Sequence, residues 1–156
     1  MINIFKKLFA KSETNRLQVT KSGAAADRSL QLAIAMLLLD MSGRDEDYAP
    51  EEVGTILRTL VAEFESGKEA MLEIINDADR ERKKKENVNQ GVRLLNDSYN
   101  DSQKITIISL LWKVLIADGK VDKSESRYLE QIKNRLHLTE AQIEAGKLQA
   151  RKSPVG

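Results

Sequence analysis

Two turns of this chain carry acidic residues at the same spacing. Asp45 and Glu52 are related to Asp118 and Glu125 by one constant offset of 73 residues, from 45 to 118 and from 52 to 125. Carboxylate oxygens are hard ligands that suit Ca²⁺, Mg²⁺ or Mn²⁺. If the two turns meet about a pseudo-twofold axis, these four residues form a divalent metal site. Three further acidic residues lie at its predicted rim: Asp47, Glu51 and Asp122.

The acidic residues belong to a longer internal repeat. The segment LLDMSGRDEDYAPEE aligns with LWKVLIADGKVDKSE at the same offset, and three apolar pairs at or before the start of these segments match. Those pairs are Ile34 with Ile107, Leu37 with Leu110, and Leu38 with Leu111. A repeat of this kind indicates a duplicated structural unit. Each copy is predicted to be a helix, a tight turn and a second helix.

Helix capping is an alternative role for part of the acidic set. Asp122 followed three residues later by Glu125 is a capping box, and Glu52 suits the first turn of a predicted helix. Capping does not explain Asp45 and Asp118, which follow the first helix of each unit at the negative end of its dipole. A repeated unfavourable charge indicates a positive partner. Neither turn has the spacing of an EF-hand calcium loop.

The elements that must position these turns are helices throughout. Apolar residues recur every three or four positions and the chain has only two prolines, which predicts an all-α fold, a single-domain bundle of about seven helices. We predict residues 1–24 as a basic amphipathic segment and linker, 25–150 as the helical domain, and 151–156 as a tail. The charged stretch 77–87 is predicted to be a solvated surface or linker, followed by a short element near residues 92–95.

Local signals mark several helix starts. Pro50 suits the first position of the second helix. Capping boxes are predicted at Ser66 with Glu69, opening the third helix, and at Thr139 with Gln142, opening the last. His137 is predicted to be a capping or surface residue that ends a helix.

Composition excludes several classes of function. The chain has no cysteine and a single histidine, so thiol nucleophiles, iron–sulfur clusters and the usual zinc ligand sets are excluded. Its formal net charge of +1 gives no overall attraction to nucleic acid. The basic residues 80–85 alternate with acids, which favours a solvated face over a nucleic-acid site. No apolar run is long enough to span a bilayer.

The first eleven residues, MINIFKKLFAK, combine apolar and basic side chains at helical spacing. This pattern is typical of reversible attachment to an anionic membrane surface. The alternative is that the same apolar face packs on the helical core, since an isolated helix this short is marginal in water. The predicted membrane-contact residues are Phe5, Lys6, Lys7, Leu8 and Phe9.

The second acidic unit resembles part of a known family. The segment ADGKVDKSE, preceded by ITIISLLWKVLI and followed by SRYLEQIKNRLHLTEAQ, is similar to the second half of TerB-like proteins, the tellurite resistance protein TerB family. The first half has RDEDYAPEE in place of the family's first turn, and the resemblance covers roughly residues 30–149. It implies about seven helices, a cytoplasmic location with the inner face of the membrane as a candidate surface, and divalent metal binding by the acidic turns.

We therefore predict a non-enzymatic stress-response module that binds divalent metal, a protein partner or both, and no nucleic acid. One alternative is a metal-assisted hydrolase, although the sequence offers no evident base, nucleophile or phosphate-binding glycine loop. The other is a peripheral membrane scaffold without metal.

Overall fold

Seven α-helices and no strand make up the described part of the chain. The computed structural model describes residues 24–43, 50–117, 119 and 121–152, apart from the side chains of residues 24–27 and 50. The all-α prediction is confirmed. In chain order the helices are α1 (Ala24–Ser42), α2 (Pro50–Phe64), α3 (Lys68–Glu81), α4 (Lys85–Ser98), α5 (Asp101–Ala117), α6 (Lys123–Arg135) and α7 (Glu140–Lys152).

Two central helices, α1 and α5, organise the bundle. Every residue from 33 to 39 of α1 and from 106 to 111 of α5 is buried, so neither helix has a solvent face in its middle. Helix α1 packs against α2, α3, α4, α5 and α6, whereas α5 packs most extensively against α7. Helices that are apolar on all sides are buried within a fold. These two are the first helices of the two repeated units.

The repeat is visible in the burial pattern. The pairs Ile34 and Ile107, Leu37 and Leu110, and Leu38 and Leu111 are each at most 1% exposed and belong to one core cluster. The second helices of the units keep the same phase. Buried pairs at the same offset are Thr55 with Tyr128, Ile56 with Leu129, and Thr59 with Ile132. The two units therefore share one core.

One predicted capping box is wrong, and one was missed. Gly67 occupies the N-cap position of α3 with an extended backbone. No side chain makes a capping hydrogen bond to this helix, so Ser66 does not cap it. At the start of α5, the Asn100 N–H donates to Gln103 Oε1 at 3.0 Å, and the Gln103 N–H donates to Asn100 Oδ1 at 2.9 Å. Asn is among the strongest N-cap residues, and the spacing to Gln is that of a capping box.

The predicted capping box at the start of α7 is confirmed. The Thr139 N–H donates to Gln142 Oε1 at 2.8 Å, and the Gln142 N–H donates to Thr139 Oγ1 at 3.2 Å. At the preceding helix end, His137 adopts a left-handed conformation with φ of 61°. The Leu138 N–H reaches back to the Lys133 carbonyl at 3.0 Å. This is the Schellman arrangement, with histidine where glycine is most common.

The charged stretch 77–87 lies mostly at the surface, as predicted, but it is helical over most of its length, so its prediction as a linker is wrong. Helix α3 continues to residue 81 and α4 begins at 85, which leaves only three residues between them. Ion pairs neutralise the charges near the core: Asp77 bonds to Arg28 and Arg80, and Arg82 bonds to Asp79 at 3.1 Å. The short element expected near 92–95 is part of the 14-residue helix α4.

The candidate acidic pocket

An open pocket of about 620 Å³ lies where the two repeated units meet. Its walls come from the ends of α1 and α5 and the starts of α2 and α6. The lining residues are Ser42, Glu51, Glu52, Gly54, Thr55, Arg58, Val114, Ala117 and Glu125. Glu52 and Glu125, which occupy equivalent positions in the two units, therefore line the same pocket. The fold brings together the second acidic residue of each repeat.

The wall contributed by α6 is fixed by a capping box. The Glu125 N–H donates to Asp122 Oδ1 at 2.8 Å, and the Asp122 N–H donates to Glu125 Oε1 at 3.2 Å. The Ser124 hydroxyl also donates to Asp122 Oδ1, at 2.8 Å. Asp122 thus caps α6 and is not among the pocket-lining residues. Glu125 takes part in both the cap and the pocket, and a carboxylate has enough lone pairs for both.

The wall contributed by α2 carries Arg58, the only cationic side chain among the lining residues that the structure describes. Arg58 Nη2 donates to Thr55 Oγ1 at 3.2 Å, and Thr55 Oγ1 donates in turn to the Glu51 carbonyl at 3.0 Å. Arg58 Nη1 would lie 3.4 Å from a Cβ at Gly54, so the guanidinium folds back along α2 toward its acidic first turn. Among the described lining residues, three carboxylates and one guanidinium leave a formal excess of two negative charges.

The two helix starts offset part of this negative charge. Each helix N-terminus carries roughly half a positive charge, which favours carboxylates in the first turn. Glu51 and Glu52 lie in the first turn of α2, and Glu125 lies in the first turn of α6. An acidic pocket of this kind attracts cations.

The remaining predicted site residues lie outside the described residues. These are Asp45, Asp47 and Asp118 of the acidic turns, and the membrane-contact residues Phe5, Lys6, Lys7, Leu8 and Phe9. Among the residues that the structure does describe, no group of three or more acidic, histidine or cysteine side chains is arranged to hold a metal ion. The described carboxylates line one pocket without forming a complete coordination shell.

A model of the tellurite resistance protein TerB family matches residues 31–148, which is most of the chain. This protein belongs to the TerB family. Every residue that lines the acidic pocket falls within the matched region. The comparison with curated proteins found no match. No helix in the described part of the chain is both long enough and apolar enough to cross a membrane.

A solved structure shares the fold. It is the crystal structure of a protein of unknown function from Porphyromonas gingivalis, with a TM-score of 0.62 and 17% sequence identity. The match covers 80% of this chain and 89% of that one. At this identity the likeness extends to the arrangement of helices and carries no information about ligands.

Proposed function

We propose that this TerB-family protein is a non-catalytic stress-response module that binds one divalent cation in the acidic pocket. Glu52 and Glu125 would supply ligands from the starts of α2 and α6. Asp45 and Asp118 would supply the others from the turns that precede these helices. The family's association with tellurite resistance supports a role in a stress response.

One observation carries the proposal: Glu52 and Glu125, related by the internal offset, line the same pocket. Sequence duplication alone would allow the two turns to lie at opposite ends of the molecule. The net negative charge of the described lining residues favours a cation, and oxygen ligands favour Ca²⁺, Mg²⁺ or Mn²⁺.

The aspartates are an essential part of the proposal, because the described residues alone do not complete a metal site. Asp118 directly follows Ala117, which lines the pocket, and Asp45 follows Ser42 by three positions. Both aspartates therefore occur within three positions of a pocket-lining residue in the sequence. An Asp just beyond a helix C-terminus faces the negative end of the dipole, and a bound cation would compensate for this.

Thermal melting with and without metal tests the proposal. A ligand that binds only the native state raises its stability by about 2.7 kcal/mol at a hundredfold excess over Kd. Glu52→Gln with Glu125→Gln should remove this shift. Gln keeps the capping geometry at residue 125, so the double variant loses charge without losing the cap. Glu73→Gln with Glu130→Gln, both exposed and outside the pocket, is the control with the same charge change.

Two results would contradict the metal proposal. One is a wild-type melting curve that is identical in millimolar Ca²⁺, Mg²⁺ or Mn²⁺ and in chelator. The other is an equal loss of the metal-dependent shift in the pocket variant and the control variant. A metal-dependent hydrolysis of simple phosphate or carboxyl esters, lost in the pocket variant, would instead favour the hydrolase alternative.

A protein partner is the second candidate ligand, because the pocket also has an apolar wall formed by Val114 and Ala117. The stem of a partner's lysine or arginine would contact this wall while its charged group faces Glu52 and Glu125. Such an interaction would persist in chelator and disappear in the pocket variant. A metal-bridged interaction would disappear in both conditions.

A further inference from the structure

Three consecutive lysines form the connection between α3 and α4 and the start of α4. Lys83, Lys84 and Lys85, here called the lysine turn, are all exposed. None of their ammonium groups makes an ion pair or hydrogen bond with another described residue. This concentration of unpaired positive charge plays no part in the acidic pocket.

The neighbouring arginines differ from the lysine turn because they are paired. Arg80 bonds to Asp77, and Arg82 lies between Asp79 at 3.1 Å and Asp40 at 3.9 Å with only 9% of its side chain exposed. Local aspartates are therefore engaged by the arginines. The alternation of acids and bases in the sequence predicts a face whose charges neutralise one another. In the structure the two arginines are paired with aspartates, whereas the lysine turn is not paired with any described residue.

The lysine turn lies at the end of a helix that disfavours positive charge. Lys84 is the N-cap of α4 and Lys85 its first residue, and no side chain caps the helix. Positive charge at a helix N-terminus is unfavourable. The backbone N–H groups of the first turn have no hydrogen-bond acceptor within the helix, so they too favour an anion. Glu86 lies in this turn, and the Glu81 carboxylate accepts a hydrogen bond from Asn87 Nδ2 at 2.8 Å, so the three lysines leave a local excess of one positive charge. An external anion would relieve the repulsion.

We propose that the lysine turn is a contact surface for the phosphate groups of an anionic lipid membrane. Lysine is a point charge that suits phosphates without a fixed geometry. Neither α3 nor α4 contains an aromatic residue, and both adjacent arginines are paired, so the stacking groups that bind nucleic-acid bases are absent from these two helices. A flat, charged lipid surface matches an exposed turn of lysines.

A second membrane-directed feature precedes α1 in the sequence. Residues 1–11 combine an apolar pattern with Lys6, Lys7 and Lys11. The ion pair between Arg28 and Asp77 joins the start of α1 to α3. Asp77 lies six residues before Lys83, the first residue of the lysine turn. Two weak membrane contacts in one chain bind more tightly than either alone. The lysine turn would supply the electrostatic contact.

Co-sedimentation of the full chain with lipid vesicles tests the proposal. The vesicles are phosphatidylcholine with roughly 30% phosphatidylserine, the surface charge that attracts lysines, and pure phosphatidylcholine for comparison. The test variant replaces Lys83, Lys84 and Lys85 with Gln. The control replaces three exposed lysines elsewhere and has the same net charge: Lys68, Lys123 and Lys152.

We expect the test variant to bind anionic vesicles about 100-fold more weakly than the wild type at low salt. The control should differ by only a few fold, and wild-type binding should fall as salt is raised. Neither variant should melt at a lower temperature than the wild type, because the substituted side chains make no described pairs and positive charge at a helix start is unfavourable. Equal losses in the two variants, or no binding of the wild type to anionic vesicles, would overturn the proposal. Loss of duplex DNA binding in the test variant, with vesicle binding unchanged, would also overturn it.

Discussion

Gly146 lies at a close contact between α7 and α5, where the side chain of alanine would have too little room. A Cβ at this position would lie 2.7 Å from Ile108 Cγ2, 2.9 Å from Ile108 Cβ and 3.0 Å from the Ile105 carbonyl oxygen. Carbon atoms in contact normally sit about 3.5–4.0 Å apart. The backbone carbonyl cannot rotate away as a flexible side chain would, so the two helices must separate.

The matched control is Gly54→Ala, at the fifth residue of α2. A Cβ there would approach only the flexible end of Arg58, at an ordinary 3.4 Å. Both substitutions gain about 1 kcal/mol of helix propensity. Only Gly146→Ala also incurs the cost of overpacking, about 1–3 kcal/mol. We expect Gly146→Ala to be about 2 kcal/mol less stable than Gly54→Ala, or about 4–8 °C lower in Tm.

Urea and thermal unfolding followed by circular dichroism measure this difference. A double variant that adds Ile108→Ala should show less than additive destabilisation, because it removes the methyl group nearest the new Cβ. Close packing of α5 and α7 at Gly146 would be refuted if Gly146→Ala proved as stable as Gly54→Ala. Additive losses in the double variant would also contradict it.

Three further predictions concern other parts of the chain. His137→Gly should raise stability by about 1 kcal/mol in thermal melting, because glycine adopts the left-handed backbone without strain; a lower Tm would contradict this. The hydrogen bond from Arg28, together with Arg80, lowers the pKa of Asp77, so its stabilising effect is present above the unfolded pKa of about 3.9 and is lost as pH falls through the folded value. Wild type should therefore lose more stability than Asp77→Asn between about pH 6 and pH 2, and parallel pH curves would refute this. Deleting residues 1–11 should weaken anionic vesicle binding with Tm unchanged, whereas a lower Tm with unchanged vesicle binding would show that the segment packs on the bundle.

Local sequence signals predicted the fold class and several helix starts. Pro50 opens α2 and Asp122 caps α6 as expected, because these residues act through bonds and backbone angles within one turn. The length of helix α4 was underestimated because charged residues surround its start. Its buried residues follow the helical spacing of i, i+3, i+4 and i+7, and this narrow apolar stripe was the available signal. They are Val88, Gly91, Val92 and Leu95.

The acidic pocket was only partly predictable. The constant offset identified Glu52 and Glu125 because both units carry them. It could not identify Thr55 or Arg58, since residues 128 and 131 at the equivalent positions are Tyr and Gln. Comparing repeats finds what two units share, whereas the cationic wall is specific to the first unit. Thr55 and Arg58 are three positions apart along α2, and this spacing was the available signal that they share one face of the helix.

The number of divalent ions bound per chain tests most directly whether the two repeated turns form a single site. Isothermal titration calorimetry with Mn²⁺ and Ca²⁺ measures this number, and it should be repeated on Asp45→Asn with Asp118→Asn. We predict one ion per wild-type chain and no specific binding by the double variant. Two independent ions per chain, or no specific ion at all in the wild type, would contradict a shared site built from both units.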